Sequence, residues 1–296
     1  MEALIFGWLT SRKLPFLSKR IRVMRNILNF KRWQKNSYCE NLLEVVIPCV
    51  VTDLKVMPFT VRNLRKFLLH PIHRICIVAP EEPSILDFCS QFNCTFIDEN
   101  TVLPIKITDI GEYLFQGNDR RGWIFQQLLK LGADSFVETQ YYYVLDADTV
   151  LTSPQHFIEN NKIILNTSDE FHQPYLAAYK KLLGEEPTSP FSFVSHQMLF
   201  EKHTLRKLKE NIEQHTGMFW YKAIIELINR KENSSFSEYE TYGNYLFKYF
   251  TNQVKLEYFF NISLNRSLLD KFTAIDYQKY KSVSFHWYNH VPEDYK

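Results

Sequence analysis

Glycine is scarce, with 8 in 296 residues, and that scarcity excludes several nucleotide-binding designs at once. There is no GxGxxG turn to bring backbone against a dinucleotide pyrophosphate, and no GxxxxGK[ST] loop to wrap a triphosphate. A GxSxG elbow and an HExxH helix are also missing, so a serine hydrolase of that type and a two-histidine zinc enzyme are not indicated. None of the 5 cysteines forms a CxxC pair, which removes zinc ribbons and redox dithiols. Cys49 and Cys76 sit in apolar runs and read as core residues. This usage fits a reducing cytoplasm. No run of 18 apolar residues occurs, so no membrane-spanning helix is expected. The opening MEALIFGWL is followed by no small-residue cleavage site and is not read as a signal peptide.

The composition, 45% apolar and 23% charged, is that of an ordinary globular chain. Its length suits one large α/β domain with a sizeable core. The formal charge of +2 hides an asymmetry: residues 1–35 carry nine Lys/Arg against the single Glu2, which leaves −6 for the rest. We therefore expect a basic amphipathic extension over 1–35 and one compact domain over 36–296. Ile21, Met24 and Leu28 fall near helical spacing. Such a helix suits an anionic membrane surface, and equally a solvated helix packed on the domain. The expected location is cytoplasmic, peripheral on the inner face of the membrane. The acidic body makes nucleic acid an unexpected partner.

From Leu42 the pattern alternates. LLEVVIPCVV is a short β-branched apolar run of the kind buried in a parallel sheet. VMPFTVRNLRKFLLH reads as a helix, RICIVAP and CTFIDE as strands, and GWIFQQLLKLGA as a helix ending at Gly132. YYYVLDADTVL reads as the next strand. This βαβ order predicts a mostly parallel central sheet flanked by helices. After Leu151 the pattern is less regular.

Asp146 and Asp148 end a strand that is otherwise apolar. In an extended segment they point to one side, at the carboxyl edge where open α/β sheets bind ligands. Unpaired charge there is costly, and a hard cation such as Mg²⁺ or Mn²⁺ would offset it. The small Ala147 between them leaves room. The plainer alternative is two exposed acids in a strand-to-loop turn.

The ordered set VIP, IVAP, QQLLK, LDADT, SHQMLF and SEYExYG, over roughly positions 42–290, resembles the GT-A (Rossmann-like) class of nucleotide-sugar-dependent glycosyltransferases, and within it bacterial surface-polysaccharide transferases. The resemblance implies that Asp146 and Asp148 hold a Mn²⁺ or Mg²⁺ ion bridging the donor diphosphate, with His286 as a late third ligand. It implies that Pro48, Val50, Thr52 and Asp53 hold the nucleotide base and ribose. Asp53 reads equally as the cap of the following helix. Arg121, Gln126, Gln127 and Lys130, with Ala147, would face the diphosphate or sugar; for Lys130 an ordinary polar helix face is the competing reading. His286 competes with a place in an aromatic cluster. Ser195, His196 and Gln197 would line the acceptor side, unless His196 is simply a core histidine.

An inverting transferase needs a carboxylate to take the acceptor proton. Glu238 is the first candidate and Glu240 the second. Ser237 to Glu240 also spells a capping box, which would make Glu240 structural. The expected reaction moves a sugar from a nucleoside-diphosphate sugar to a hydroxyl of a glycan or lipid-linked acceptor, with inversion. Two alternatives remain: a metal-dependent phosphohydrolase or nuclease using the DxD, and a non-catalytic nucleotide- or lipid-binding module.

Overall fold

The computed structural model describes residues 39–168 and 170–286. The expected basic extension over 1–35, and with it the membrane surface, lies outside the described residues.

Six residues, Leu43–Pro48 (β1), are buried without interruption. β1 is flanked in parallel by Ile72–Ala79 (β2) and Tyr141–Leu145 (β4). Thr95–Asp98 (β3) extends the sheet in parallel beyond β2. Gln197–Glu201 (β7) closes the other edge, antiparallel to β4. The order is β7-β4-β1-β2-β3, a parallel-rich mixed α/β sheet as the alternation predicted. Glu44 in β1 is wholly buried, yet it stands in register with Arg74 of β2 and pairs with it. Thr139 N–H adds a 2.9 Å hydrogen bond to the same carboxylate. Burial would raise the Glu44 carboxyl pKa, but these partners outweigh it and hold it below its ordinary value.

Helices cover the sheet. Met57–Phe67 (α1) buries Met57, Val61 and Leu64 along one stripe. Pro83–Gln91 (α2) links β2 to β3. Arg121–Gly132 (α3) runs into β4 and buries Ile124, Leu128 and Leu131. A Cβ added at Gly132 would stand 2.8 Å from Leu103 Cδ2, so that side chain would have to shift to admit one.

YYYVLDADTVL is not one strand. After β4 the chain turns, with Thr149 N–H donating to Asp146 O at 3.0 Å, and resumes as Thr149–Leu151 (β5). β5 leaves the central sheet and pairs antiparallel with Ser282–Ser284 (β10). β10 in turn pairs in parallel with Asn261–Ser263 (β9). Lys162–Thr167 (β6) pairs in parallel with Val254–Tyr258 (β8). Between them lie Gln173–Leu183 (α4), Lys202–Thr216 (α5), Trp220–Leu227 (α6) and Glu238–Tyr249 (α7). Among the described residues no helix is long and apolar enough to cross a membrane.

Candidate active site

The parallel pairing of β1 with β4 sets the loop after β1 and the Asp146–Asp148 turn on one edge of the sheet. A cavity of about 650 Å³ opens there. The first loop contributes Pro48, Val50, Thr52 and Asp53 to its wall, and α3 contributes Trp123, Gln126, Gln127 and Lys130. Asp146, Ala147, Asp148, His196 and His286 face it as well.

The two aspartates were expected to be aligned by an extended backbone. The turn replaces that arrangement, and their carboxylates have different neighbours. Asp146 Oδ1 accepts from Lys130 Nζ at 2.6 Å and from the Tyr239 hydroxyl at 2.8 Å. Its Oδ2 faces His196 Nδ1 at 3.3 Å. Lys130, only 2% exposed, also meets Glu238 Oε1 at 2.8 Å and lies 4.5 Å from the centre of the Tyr239 ring. Burial favours neutral Asp146, but the Lys130 charge and the His196 contact overcome it and hold its pKa well below the carboxylate range. Desolvation likewise opposes a charged Lys130, yet Asp146 and Glu238 raise its pKa above the ordinary value. For Glu238 desolvation prevails and its pKa is raised.

Asp148 belongs to the other half of the chain. Because β5 pairs with β10, Phe285 N–H donates to Asp148 O at 2.8 Å, and His286 Nδ1 comes within 3.0 Å of Asp148 Oδ2. Arg266 approaches the same oxygen at 4.0 Å. Its guanidinium also donates to Asp53 Oδ1 at 3.0 Å, to Thr52 O at 3.0 Å and to Phe285 O at 2.7 Å. Burial raises the Asp53 pKa, against the Val50 N–H and Arg266. Asp53 does not cap α1, whose N-cap is Val56; it lies within the 3₁₀ turn Val51–Lys55 and its carboxylate accepts from Val50 N–H at 3.2 Å.

Other expected residues lie away from the cavity wall. Arg121 points outward in a 2.6 Å surface pair with Asp119, while its neighbour Arg120 lines the cavity, 4.9 Å from the Trp123 ring. Ser195 and Gln197 are fully buried. The Ser195 hydroxyl donates to Gln197 O at 2.7 Å, and the Gln197 amide binds Gln155 at 2.9 Å. Gln127, by contrast, is on the wall, and its amide donates to Trp123 O at 3.1 Å.

Glu238 and Glu240 open α7, capped by Ser237, whose Oγ accepts from Glu240 N–H at 3.2 Å. Glu238 is 0% exposed behind Lys130 and is not part of the wall, so the acceptor-base role requires a contact its burial denies. Its Oε2 is buried with no hydrogen-bond partner among the described residues. Glu240 is spent on structure: Ser192 Oγ donates to it at 2.8 Å and Phe193 N–H at 2.9 Å. Arg266, Trp123 and Tyr239 were missed from the sequence: Arg266 and Trp123 stand outside the quoted motifs, and in SEYExYG the two glutamates drew the reading rather than Tyr239.

A divalent ion needs several oxygen or nitrogen donors about one point. Asp148 and His286 offer a carboxylate and an imidazole already in contact, and this pair fits an ion chemically. Asp146 does not fit as it stands, because both its oxygens are engaged. Among the described residues no three His, Cys, Asp or Glu side chains converge as a metal-holding group.

Residues 40–289 match the model of a Family of unknown function (DUF6492), and the chain belongs to that family. No curated protein matches. Among solved structures, the chain is similar to mouse Xyloside xylosyltransferase 1 in its apo form, with 11% identity and a TM-score of 0.44, over 86% of this chain and 100% of that one. It is similar also to the galactosyltransferase LgtC in complex with donor and acceptor sugar analogs, with 12% identity and a TM-score of 0.44, over 86% and 99% of the two chains.

Proposed function

We propose that this member of a family of unknown function is a glycosyltransferase that binds a nucleoside-diphosphate sugar in the cavity beside the Asp146–Asp148 turn and passes the sugar to a glycan hydroxyl. One observation carries the reading: Asp53, Asp148, Arg266 and His286, from four separate segments, meet at the carboxyl edge of parallel strands. That edge suits a nucleotide. The donor's ribose hydroxyls would hydrogen-bond to the Asp53 carboxylate. The Arg266 guanidinium stands between Asp53 and Asp148, where a diphosphate would take its charge-assisted hydrogen bonds. Asp148 and His286 would hold a Mn²⁺ or Mg²⁺ ion, which when bound supplies positive charge to a departing diphosphate. Fixed charge placed where negative charge develops is the main source of rate in such a step. Trp123, on the cavity wall, offers a flat apolar face to a sugar ring. An acceptor proton would need a base other than Glu238 or Glu240, so the inverting outcome that rested on them loses its support.

Thermal shifts measured against a panel of nucleotide sugars with Mn²⁺ test the proposal. Stabilisation by at least one nucleoside diphosphate and its loss in Asp148→Asn are expected. Unchanged binding in Asp148→Asn would sink it. Phosphodiester hydrolysis without sugar transfer would favour a phosphohydrolase instead.

A further inference from the structure

The two aspartates of the turn have been treated as one clamp, yet their surroundings differ. Asp146 Oδ1 already accepts two hydrogen bonds, from Lys130 and Tyr239, which occupies its lone pairs. Oδ2 faces His196. Delivering Asp146 to a divalent ion would set that ion beside the Lys130 ammonium, or expel Lys130. Expulsion would leave Glu238, wholly buried and already with one unpartnered oxygen, as an uncompensated charge. Asp148 carries no such burden: His286 is its hydrogen-bond partner, and Arg266 stands off at 4.0 Å. An ion could replace the His286 contact, with both groups kept as its ligands.

We propose that the two aspartates divide the work: Asp148, with His286, takes the divalent ion, while Lys130 withholds Asp146 from it and uses that carboxylate to tie α3, the turn and α7 together. This rests on the metal-site reading above. Lys130 and Asp146 are positioning residues. Through Tyr239 and Glu238, the first residues of α7, they fix the turn so that Asp148 faces the cavity at a constant distance from Arg266 and His286. The positive charge beside Asp146 is thus supplied from within the protein, and the ion is needed only at Asp148.

The test reads Mn²⁺ binding to the full chain by the loss of the free-ion electron paramagnetic resonance signal, alongside the melting temperature. Asp148→Asn and His286→Gln should each weaken Mn²⁺ binding by about tenfold or more, whereas Asp146→Asn should change it by less than about threefold while lowering the melting temperature. The Lys130→Gln/Glu238→Gln double variant removes the ammonium without stranding its carboxylate partner. It releases Asp146 and should tighten Mn²⁺ binding several-fold. Should Asp146→Asn fail to fold, Tyr239→Phe decides: it takes one donor from Asp146 and strands no charge, so unaltered Mn²⁺ affinity is expected. Equal loss of Mn²⁺ in both aspartate variants, a tenfold loss in Tyr239→Phe, or weaker binding in the double variant overturns the division alone. A wild-type chain that binds neither Mn²⁺ nor uridine diphosphate overturns the metal-site reading and this assignment with it.

Discussion

Asp148 and His286 stand 3.0 Å apart although 138 positions separate them. The contact follows from strand pairing, because Thr149 is in register with Ser284, Phe285 N–H then donates to Asp148 O, and His286 is the next residue along. The Thr149 and Ser284 hydroxyls, 2.9 Å apart and buried, lock that register.

Lys130→Met should destabilise the fold by about 3–5 kcal/mol, because it strands the wholly buried Glu238 carboxylate and takes the ammonium from Asp146. Urea denaturation of the single variant and of Lys130→Met/Glu238→Gln gives the comparison. The double variant should recover part of the loss. Equal losses would mean that Glu238 does not depend on Lys130.

Arg266→Met should weaken nucleoside-diphosphate binding by about tenfold, since a charge-assisted donor is removed from the cavity. The affinity for Mn²⁺ alone should not fall, because a nearby positive charge is removed with it. Calorimetric titration of each ligand separates the two effects. An unaltered diphosphate affinity would remove Arg266 from the donor site.

Glu240→Ala should lower stability by about 2–3 kcal/mol, as it leaves the Ser192 hydroxyl and Phe193 N–H without their charged acceptor. The deficit should appear with or without substrate. A variant that keeps its melting temperature but loses transfer would return Glu240 to the chemistry.

Gly243→Ala tests the fit of α7. A Cβ at this position would stand 2.5 Å from Phe193 Cγ. A destabilisation of about 1–3 kcal/mol is expected from overpacking, despite the better helix propensity of alanine. A neutral or positive change in melting temperature would show that Phe193 yields easily.

His70 predicts a loss of stability in acid. Its Nε2 accepts from Phe157 N–H at 2.8 Å and its Nδ1 meets Asn41 O at 3.1 Å, which fixes the neutral tautomer with the proton on Nδ1. Burial pulls its pKa down from 6.5 to about 4. The unfolded chain takes up this proton at higher pH than the folded one. Stability is therefore complete above pH 6.5 and falls as the pH drops toward 4, by up to about 3 kcal/mol. His70→Gln should flatten the denaturation midpoint over that window. A slope unchanged by the substitution would assign the acid sensitivity to other groups.

The first half of the fold was legible because its central strands carry apolar buried runs, all of Leu43–Pro48 and the last five residues of Ile72–Ala79, and helices alternate with them. Glu44 and Arg74 were not singled out, because only the strand register brings them together. Beyond Leu151 the strands are short, and their partners lie about a hundred residues away, as with Lys162–Thr167 and Val254–Tyr258. No local period announces such pairs. The acidic pair was visible, but a flat extended geometry for it was not warranted, because Asp residues also favour turns. Lys130 looked like part of a polar helix face. Its burial depends on Asp146 and Glu238, which reach it from 16 and 108 positions away. Arg266 gave no signal, because its partners are mostly backbone oxygens.

The pairing of Thr149–Leu151 with Ser282–Ser284 also separates scaffold from site. The five strands of the central sheet all lie between Leu43 and Glu201, so none of their ladders depends on that pairing. Asp148 meets its imidazole only through it. A substitution that parts the two short strands would leave the central ladders in place while taking His286 away from Asp148.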